Sequence, residues 1–217
     1  MTLSPAKRHM MRIQAAEEAA SAADSNLRPN ASQYELMQAQ LYEDTRRLKG
    51  IESMKKRAEI KLELLDAYAP YVTGVLESDA GASDDVLMTV MLWRIDAGDY
   101  IGALDIGDYA LRHSLTMPDK FQRSTACLMA EEFADAALKG AEVPAETLCC
   151  IEQLTASKDM PDQVVAKLHK ALGTVLMESD PATALLHLQS ALANNDNCGV
   201  KTMIKKLQKQ LSADQPD

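Results

Sequence analysis

Carboxylates are the side chains of this sequence most able to do chemistry. Asp84 and Asp85 are adjacent, Asp96, Asp99, Asp105 and Asp108 recur over a short stretch, and Glu131 and Glu132 form a further pair. Converging carboxylates could hold one or two divalent cations and hydrolyse a phosphodiester, usually with a lysine supporting the developing charge. Each group also has a simpler reading. Asp84 and Asp85 follow Ser83 at a predicted helix start, where carboxylates cap free N–H groups and offset the helix dipole. Asp105 and Asp108 are three apart on one helical face, a spacing that more often faces water than a cation. Pro161-Asp162 with Lys167, and Pro118-Asp119-Lys120, have the look of nuclease motifs, but that chemistry normally sits on paired strands and these segments read as helix starts. Asp84, Asp85, Asp105 and Asp108 are therefore retained as catalytic candidates, with no catalytic constellation evident.

Other chemistries find less support. There is no GxxxxGK[ST] loop to wrap phosphates in backbone N–H groups, so ATP hydrolysis is expected on another chain. His9, His113, His169 and His187 are scattered, and Cys127, Cys149, Cys150 and Cys198 form neither a CxxC pair nor a Cys/His cluster. No metal site and no cofactor are expected, and the cysteines are expected as buried, reduced thiols. Trp93, the sole tryptophan, lies among Val90, Leu92 and Ile95 and reads as core rather than as a platform for a base.

Cations tell a different story. The net charge of -9 looks unfavourable for a nucleic-acid binder, yet residues 1–61 hold 11 basic and 8 acidic residues and residues 62–217 hold 12 and 24. Phosphate contacts need Lys and Arg with few competing carboxylates, which places any DNA contact on the N-terminal third. The candidates there are Lys7, Arg8, Arg12, Arg46, Arg47, Lys49, Lys55, Lys56, Arg57 and Lys61. The alternative is a solvated face with local ion pairs to Glu43, Glu52 and Glu59.

The elements that would position these groups read as helices throughout. Hydrophobic residues are 47% of the chain but aromatics only 4%, with 12 Met, a mix that favours helix over strand. No segment sustains the two-residue alternation of a strand. Residues 1–32 read as a basic arm or short helix, with Ser4-Pro5 as cap and first helical residue and a break at Pro29-Asn30. Residues 33–69 read as one long helix from Tyr34 to Tyr68, with Gly50 as its one glycine and no proline before Pro70. A heptad runs through Tyr34, Met37, Leu41, Asp44, Leu48, Ile51, Lys55, Ala58, Leu62 and Leu65. This coiled-coil-like seam makes Met37, Leu41, Leu48, Ile51, Leu62 and Leu65 candidates for oligomerisation, with Asp44 and Lys55 as interruptions that could set register or partner number. Residues 70–217 read as an acidic domain of helical hairpins. Leu92 to Leu111, turning at Gly98-Asp99, and Leu168 to Leu192, turning at Asp180-Pro181, have tetratricopeptide-like grammar. The fold class is therefore all-α: a long N-terminal helix followed by a helical-hairpin domain. No run of about 18 apolar residues marks a membrane span and no export signal opens the chain, so a cytoplasmic protein is expected.

Several segments, in order and over most of the chain, resemble the small terminase subunit (terminase endonuclease subunit) family of P2-like tailed phages. They are Ser4-Pro5-Ala6-Lys7-Arg8-His9-Met10-Met11-Arg12, the run Asp84-Asp85-Val86-Leu87-Met88-Thr89-Val90-Met91-Leu92-Trp93-Arg94, the phrase Leu115-Thr116-Met117-Pro118, and Asp159-Met160-Pro161-Asp162 with Ala166-Lys167-Leu168-His169-Lys170. The resemblance implies a DNA-packaging role in the cytoplasm of an infected bacterial host. A member of the family binds the cohesive-end site of double-stranded phage DNA, directs its endonucleolytic cleavage and hands the DNA to a large ATPase subunit, acting as a ring-like homo-oligomer without a membrane partner. Two further readings remain open: a metal-dependent endonuclease that cuts the packaging site itself, in which case a divalent metal is needed, and a helical scaffold that does not bind DNA.

Overall fold

The computed structural model describes residues 3–23, 32–119 and 121–213; the expected break at Pro29-Asn30, and Lys120, lie outside them. Ten helices and no strand occur among the described residues, so the chain is all-α. They fall into two compact units, Met1–Thr125 and Ala126–Asp217.

In the first unit, α1 (Pro5–Ala23) begins where Ser4 accepts a bond from the Lys7 amide at 3.3 Å. Its buried face is Met11, Ala15, Ala19 and Ala22, three or four residues apart and mostly small, so the helix can lie close against a neighbour. That neighbour is α3 (Met54–Ser78). The contact is closest at Gly74, where an added Cβ would sit 2.1 Å from the Arg12 carbonyl oxygen and 3.0 Å from the Ala15 Cβ. An Arg12–Glu77 ion pair at 3.2 Å joins the same two helices.

The helix expected from Tyr34 to Tyr68 is two helices, α2 (Ser32–Lys49) and α3. Its interruption is local and has a local cause. The Gly50 and Ile51 amides close the last turn of α2 onto the Arg47 and Leu48 carbonyls, and Ser53, at φ -68° and ψ 118°, caps a fresh helix by accepting from the Lys56 amide. A glycine followed three residues later by a serine thus supplies a stop and a start within one turn. At its other end α3 runs through Pro70, where the long helix was expected to finish. Pro70 forfeits one backbone hydrogen bond, but Leu65, Tyr68, Tyr71, Val72 and Val75 on either side of it are buried and hold the helix together.

Helix α4 (Asp85–Ala97) is the centre of this unit. Val86 through Met91 are buried, as are Trp93 and Ile95. Trp93 meets Tyr68 edge to face, with ring centroids 5.8 Å apart. Gly98, at φ 83°, ends the helix, a left-handed conformation that favours glycine. Asp99 then caps α5 (Tyr100–Arg112) by accepting from the Gly102 amide at 3.0 Å, completing a helix hairpin at the expected turn.

The second unit comprises α6 (Thr125–Leu138), α7 (Ala145–Thr155), α8 (Asp162–Leu176), α9 (Pro181–Asn194) and α10 (Lys201–Ala213). Its second expected hairpin is α8 with α9. Asp180 caps α9 through the Thr183 amide, and at Gly173 a Cβ would come within 2.6 Å of the Leu188 side chain, so the two helices pack with nothing between them. The cysteines are all free thiols, with Cys127 buried and Cys149 and Cys198 half-buried, while Cys150 departs from expectation by being exposed. No helix among the described residues is long and apolar enough to cross a membrane.

Candidate nucleic-acid interface

The α2–α3 junction concentrates positive charge. Arg46, Arg47 and Lys49 occupy the last turn of α2, and Lys55, Lys56 and Arg57 the first turn of α3. Their surroundings differ. Arg46 pairs with Glu43 at 2.8 Å on the exposed surface, and Arg57 turns back to the Ile51 carbonyl and the Met54 sulfur. Arg47, Lys49, Lys55 and Lys56 are exposed and form no ion pair among the described residues. Of the local pairs considered from sequence, that with Glu43 forms, whereas none with Glu52 or Glu59 does among those residues.

Helix electrostatics separate the two groups of cations. Charges at the C-terminal end of α2 are favourable, because the dipole there is negative. Lys55, Lys56 and Arg57 sit at the opposite pole, where the Met54 and Lys55 amides have no acceptor within the helix and a cation costs about 0.3–1 kcal/mol of helix stability. No acidic residue in the first turn of α3 offsets them. Helix stability therefore explains Arg46, Arg47 and Lys49 of α2, and the bond to the Ile51 carbonyl explains Arg57, but neither explains Lys55 and Lys56.

The remaining cation candidates are placed by α1 and the body of α3. Arg8, His9 and Arg12 line one side of a shallow groove whose other side is Ala69, Pro70 and Thr73. Lys7 is exposed nearby in sequence, whereas Arg12 is engaged with Glu77. Lys61 is bound to Asp96 and only 15% exposed, so it ties α3 to α4.

The seam residues divide in the same way. Met37, Leu48 and Leu65 are buried in the unit's own core, Leu41 and Ile51 are half-buried, and Leu62 is 56% exposed. Asp44, an interruption of the heptad, accepts a hydrogen bond from the Tyr68 hydroxyl at 2.8 Å. Burial, and then this bond to Asp44, pushes the Tyr68 phenol far above its ordinary range, so it stays a neutral donor. Asp44 thus has its partner on α3 of the same chain.

The carboxylate candidates are largely occupied. Asp84 is 1% exposed: one oxygen accepts from the Leu87 amide at 2.8 Å, capping α4, and the other from the Tyr71 hydroxyl at 2.5 Å. Asp85 and Asp105 are exposed, and Asp108 pairs with Arg112 at 2.9 Å. Asp96 holds Lys61, and Asp99 holds Arg94 while capping α5. In the second unit Lys167 bridges Glu131 at 2.8 Å and Asp135 at 2.9 Å. Among the described residues, no three His, Cys, Asp or Glu side chains come together in a way that could hold a metal ion.

One cationic element lies outside every sequence-derived candidate: α10 carries Lys201, Lys205, Lys206 and Lys209. Its signal was lost by averaging charge over all of residues 62–217; a window of one helix would have found it.

The sequence profile described as phage small terminase subunit matches residues 38–163, a span that includes the α2–α3 junction and the α4–α5 hairpin. A curated relative, the "Terminase, endonuclease subunit" of Escherichia phage P2, is 47% identical over 213 residues, covering 96% of this chain and 85% of the relative. No solved structure matches the chain.

Proposed function

Because the chain belongs to the phage small terminase subunit family, we propose that it binds packaging-site DNA through the cations of α1, α2 and α3 and presents that DNA to a large subunit carrying the ATPase. The observation that carries this reading is the exposed pair Lys55 and Lys56 at the N-terminal pole of α3, with Arg57 beside them held on the Ile51 carbonyl. A duplex supplies what the helix lacks there, because DNA phosphates neutralise the cations and can accept from the free amides of the first turn. Arg46, Arg47 and Lys49 lie across a four-residue turn and extend the surface, with Lys7 and Arg8 contributing from α1. Contacts of this kind set position and affinity, whereas base-specific readout requires further side chains in a groove.

Assembly into a homo-oligomer is part of the reading. Tyr42, Met54 and Leu62 are each more than half exposed on α2 and α3, leaving apolar area available to a second copy beside the cationic surface. Native mass spectrometry with and without cohesive-end DNA reports subunit number and DNA binding together.

Cleavage is assigned to the large subunit, with this chain selecting the site. The occupied state of Asp84, Asp96, Asp99 and Asp108 supports that assignment. The name of the P2 relative favours a second reading, in which the chain itself is the endonuclease. The purified subunit with magnesium and cohesive-end DNA decides between them: specific nicking in the absence of the large subunit would establish the second. For the DNA surface, reversing charge at Arg46, Arg47, Lys55 and Lys56 should weaken binding and flatten its salt dependence by up to about 0.9 log units per lost phosphate contact. Unchanged affinity and slope in that variant would refute the assignment of the surface.

A further inference from the structure

Within Ala126–Asp217, residues outside α10 include 4 basic and 13 acidic side chains, while α10 has 4 lysines and no acid. The helix is strongly two-sided. Ile204 and Leu207 are buried in a cluster with Ala184, Leu188, Ala191 and Val200, and Met203 packs against the same cluster. At about 100° per residue, Lys201, Lys205 and Lys209 follow one another within about 80° of the circumference, on the side away from those apolar residues, with Lys206 about 60° further round. All four lysines are exposed and form no ion pair among the described residues. The start of the helix is held in place from beneath, because the Lys170 ammonium donates to the Cys198 carbonyl at 2.8 Å.

Such a face is not explained by helix stability. Lys201–Lys205 and Lys205–Lys209 are like-charge pairs at four-residue spacing, which repel, and no carboxylate within α10 relieves them. Lys206 has Glu178 in the groove that it shares with Thr174, Val175, Met177 and Gln210, so the uncompensated stripe is Lys201, Lys205 and Lys209.

Residue type decides the partner. Protein interfaces are depleted in lysine and anchored by Tyr, Trp and Arg, none of which α10 contains. The helix also lacks the aromatic side chains on which single-stranded bases stack. What remains is a row of hydrated point charges, suited to the backbone of duplex DNA.

We propose that the Lys201–Lys205–Lys209 stripe of α10 is a second duplex-DNA surface, one that grips phosphates without reading sequence. It rests on the DNA-binding reading above but makes a separate demand on a separate unit.

The test uses the full-length protein and the triple variant K201Q/K205Q/K209Q, with binding followed by fluorescence anisotropy from about 50 to 200 mM salt. The probes are a cohesive-end duplex and an unrelated duplex of equal length. The expected result is a loss of affinity by the same factor on both duplexes, with a log–log salt slope shallower by about 2–3 and recovery in K201R/K205R/K209R. Circular dichroism checks that α10 is retained. Parental affinity and slope in the glutamine variant would overturn the proposal; if the Arg46, Arg47, Lys55 and Lys56 reversal still lost DNA, the function proposed above would stand, and if it did not, both would fall. Unchanged DNA binding accompanied by lost binding to the purified large subunit would equally overturn it, in favour of an acidic protein partner.

Discussion

Replacing Asp84 with alanine separates a structural carboxylate from a catalytic one. Asp84 closes the first turn of α4 through the Leu87 amide and accepts from the buried Tyr71 hydroxyl. Loss of an N-cap costs about 1 kcal/mol. Removing the carboxylate oxygen to which the buried Tyr71 hydroxyl donates adds about 1–3 kcal/mol. Asp84→Ala should therefore destabilise the Met1–Thr125 unit by about 2–4 kcal/mol in all. Tyr71→Phe removes the donor but leaves the cap, and should cost about 1–3 kcal/mol because a buried carboxyl oxygen loses that hydrogen bond. The double variant should cost less than the sum of the two, because both single changes break one shared bond. Urea unfolding followed by fluorescence measures this directly, since Trp93 is the sole tryptophan and is buried in that unit against Tyr68. Additive effects would refute the bond between Tyr71 and Asp84, and an Asp84→Ala protein of parental stability that has lost magnesium-dependent cleavage would refute the capping argument and revive the catalytic one.

Two other perturbations probe the packing. Gly74→Ala drives a Cβ into the Arg12 carbonyl oxygen, a backbone atom that cannot swing aside; the first unit should lose about 1–3 kcal/mol or more, and an unshifted denaturation midpoint would show that α1 and α3 are not this close. His169 and His187 face each other with Nδ1 atoms 3.0 Å apart between α8 and α9. Burial lowers both below the ordinary 6.5, and His187 lowers His169 further, against an opposing pull from Glu152. The unfolded chain consequently protonates first as pH falls, so this contribution to stability is complete above about pH 6.5 and is lost progressively as pH drops toward the folded values. Thermal melts at about pH 7.5 and about pH 5.5 should show the second unit weakening, with His187→Gln flattening the dependence; equal melting temperatures would count against it.

The helical class, the cap at Ser4, the hairpin turns at Gly98-Asp99 and Asp180-Pro181, and the concentration of cations before residue 62 were all legible in the order of residues. These are local properties: periodicity, caps, turn residues and charge are properties of neighbours along the chain. Even the break after Lys49 was locally encoded by Gly50 and Ser53, but a heptad that ran on through it outweighed two quiet residues. The fate of each side chain, by contrast, came from the packing of the helices. Met37 and Leu62 look alike in a heptad, yet one is in the core and the other faces solvent. Lys55 and Lys61 look alike in a basic run, yet Lys61 is held by Asp96, from a helix 35 residues away in sequence. Asp84, read from sequence as a cap, is also the acceptor for Tyr71, a partner on another helix. Burial and pairing depend on which distant helices meet, and here that was set in part by small residues such as Gly74 and Gly173, whose lack of a side chain lets two backbones approach and carries almost no pattern of its own.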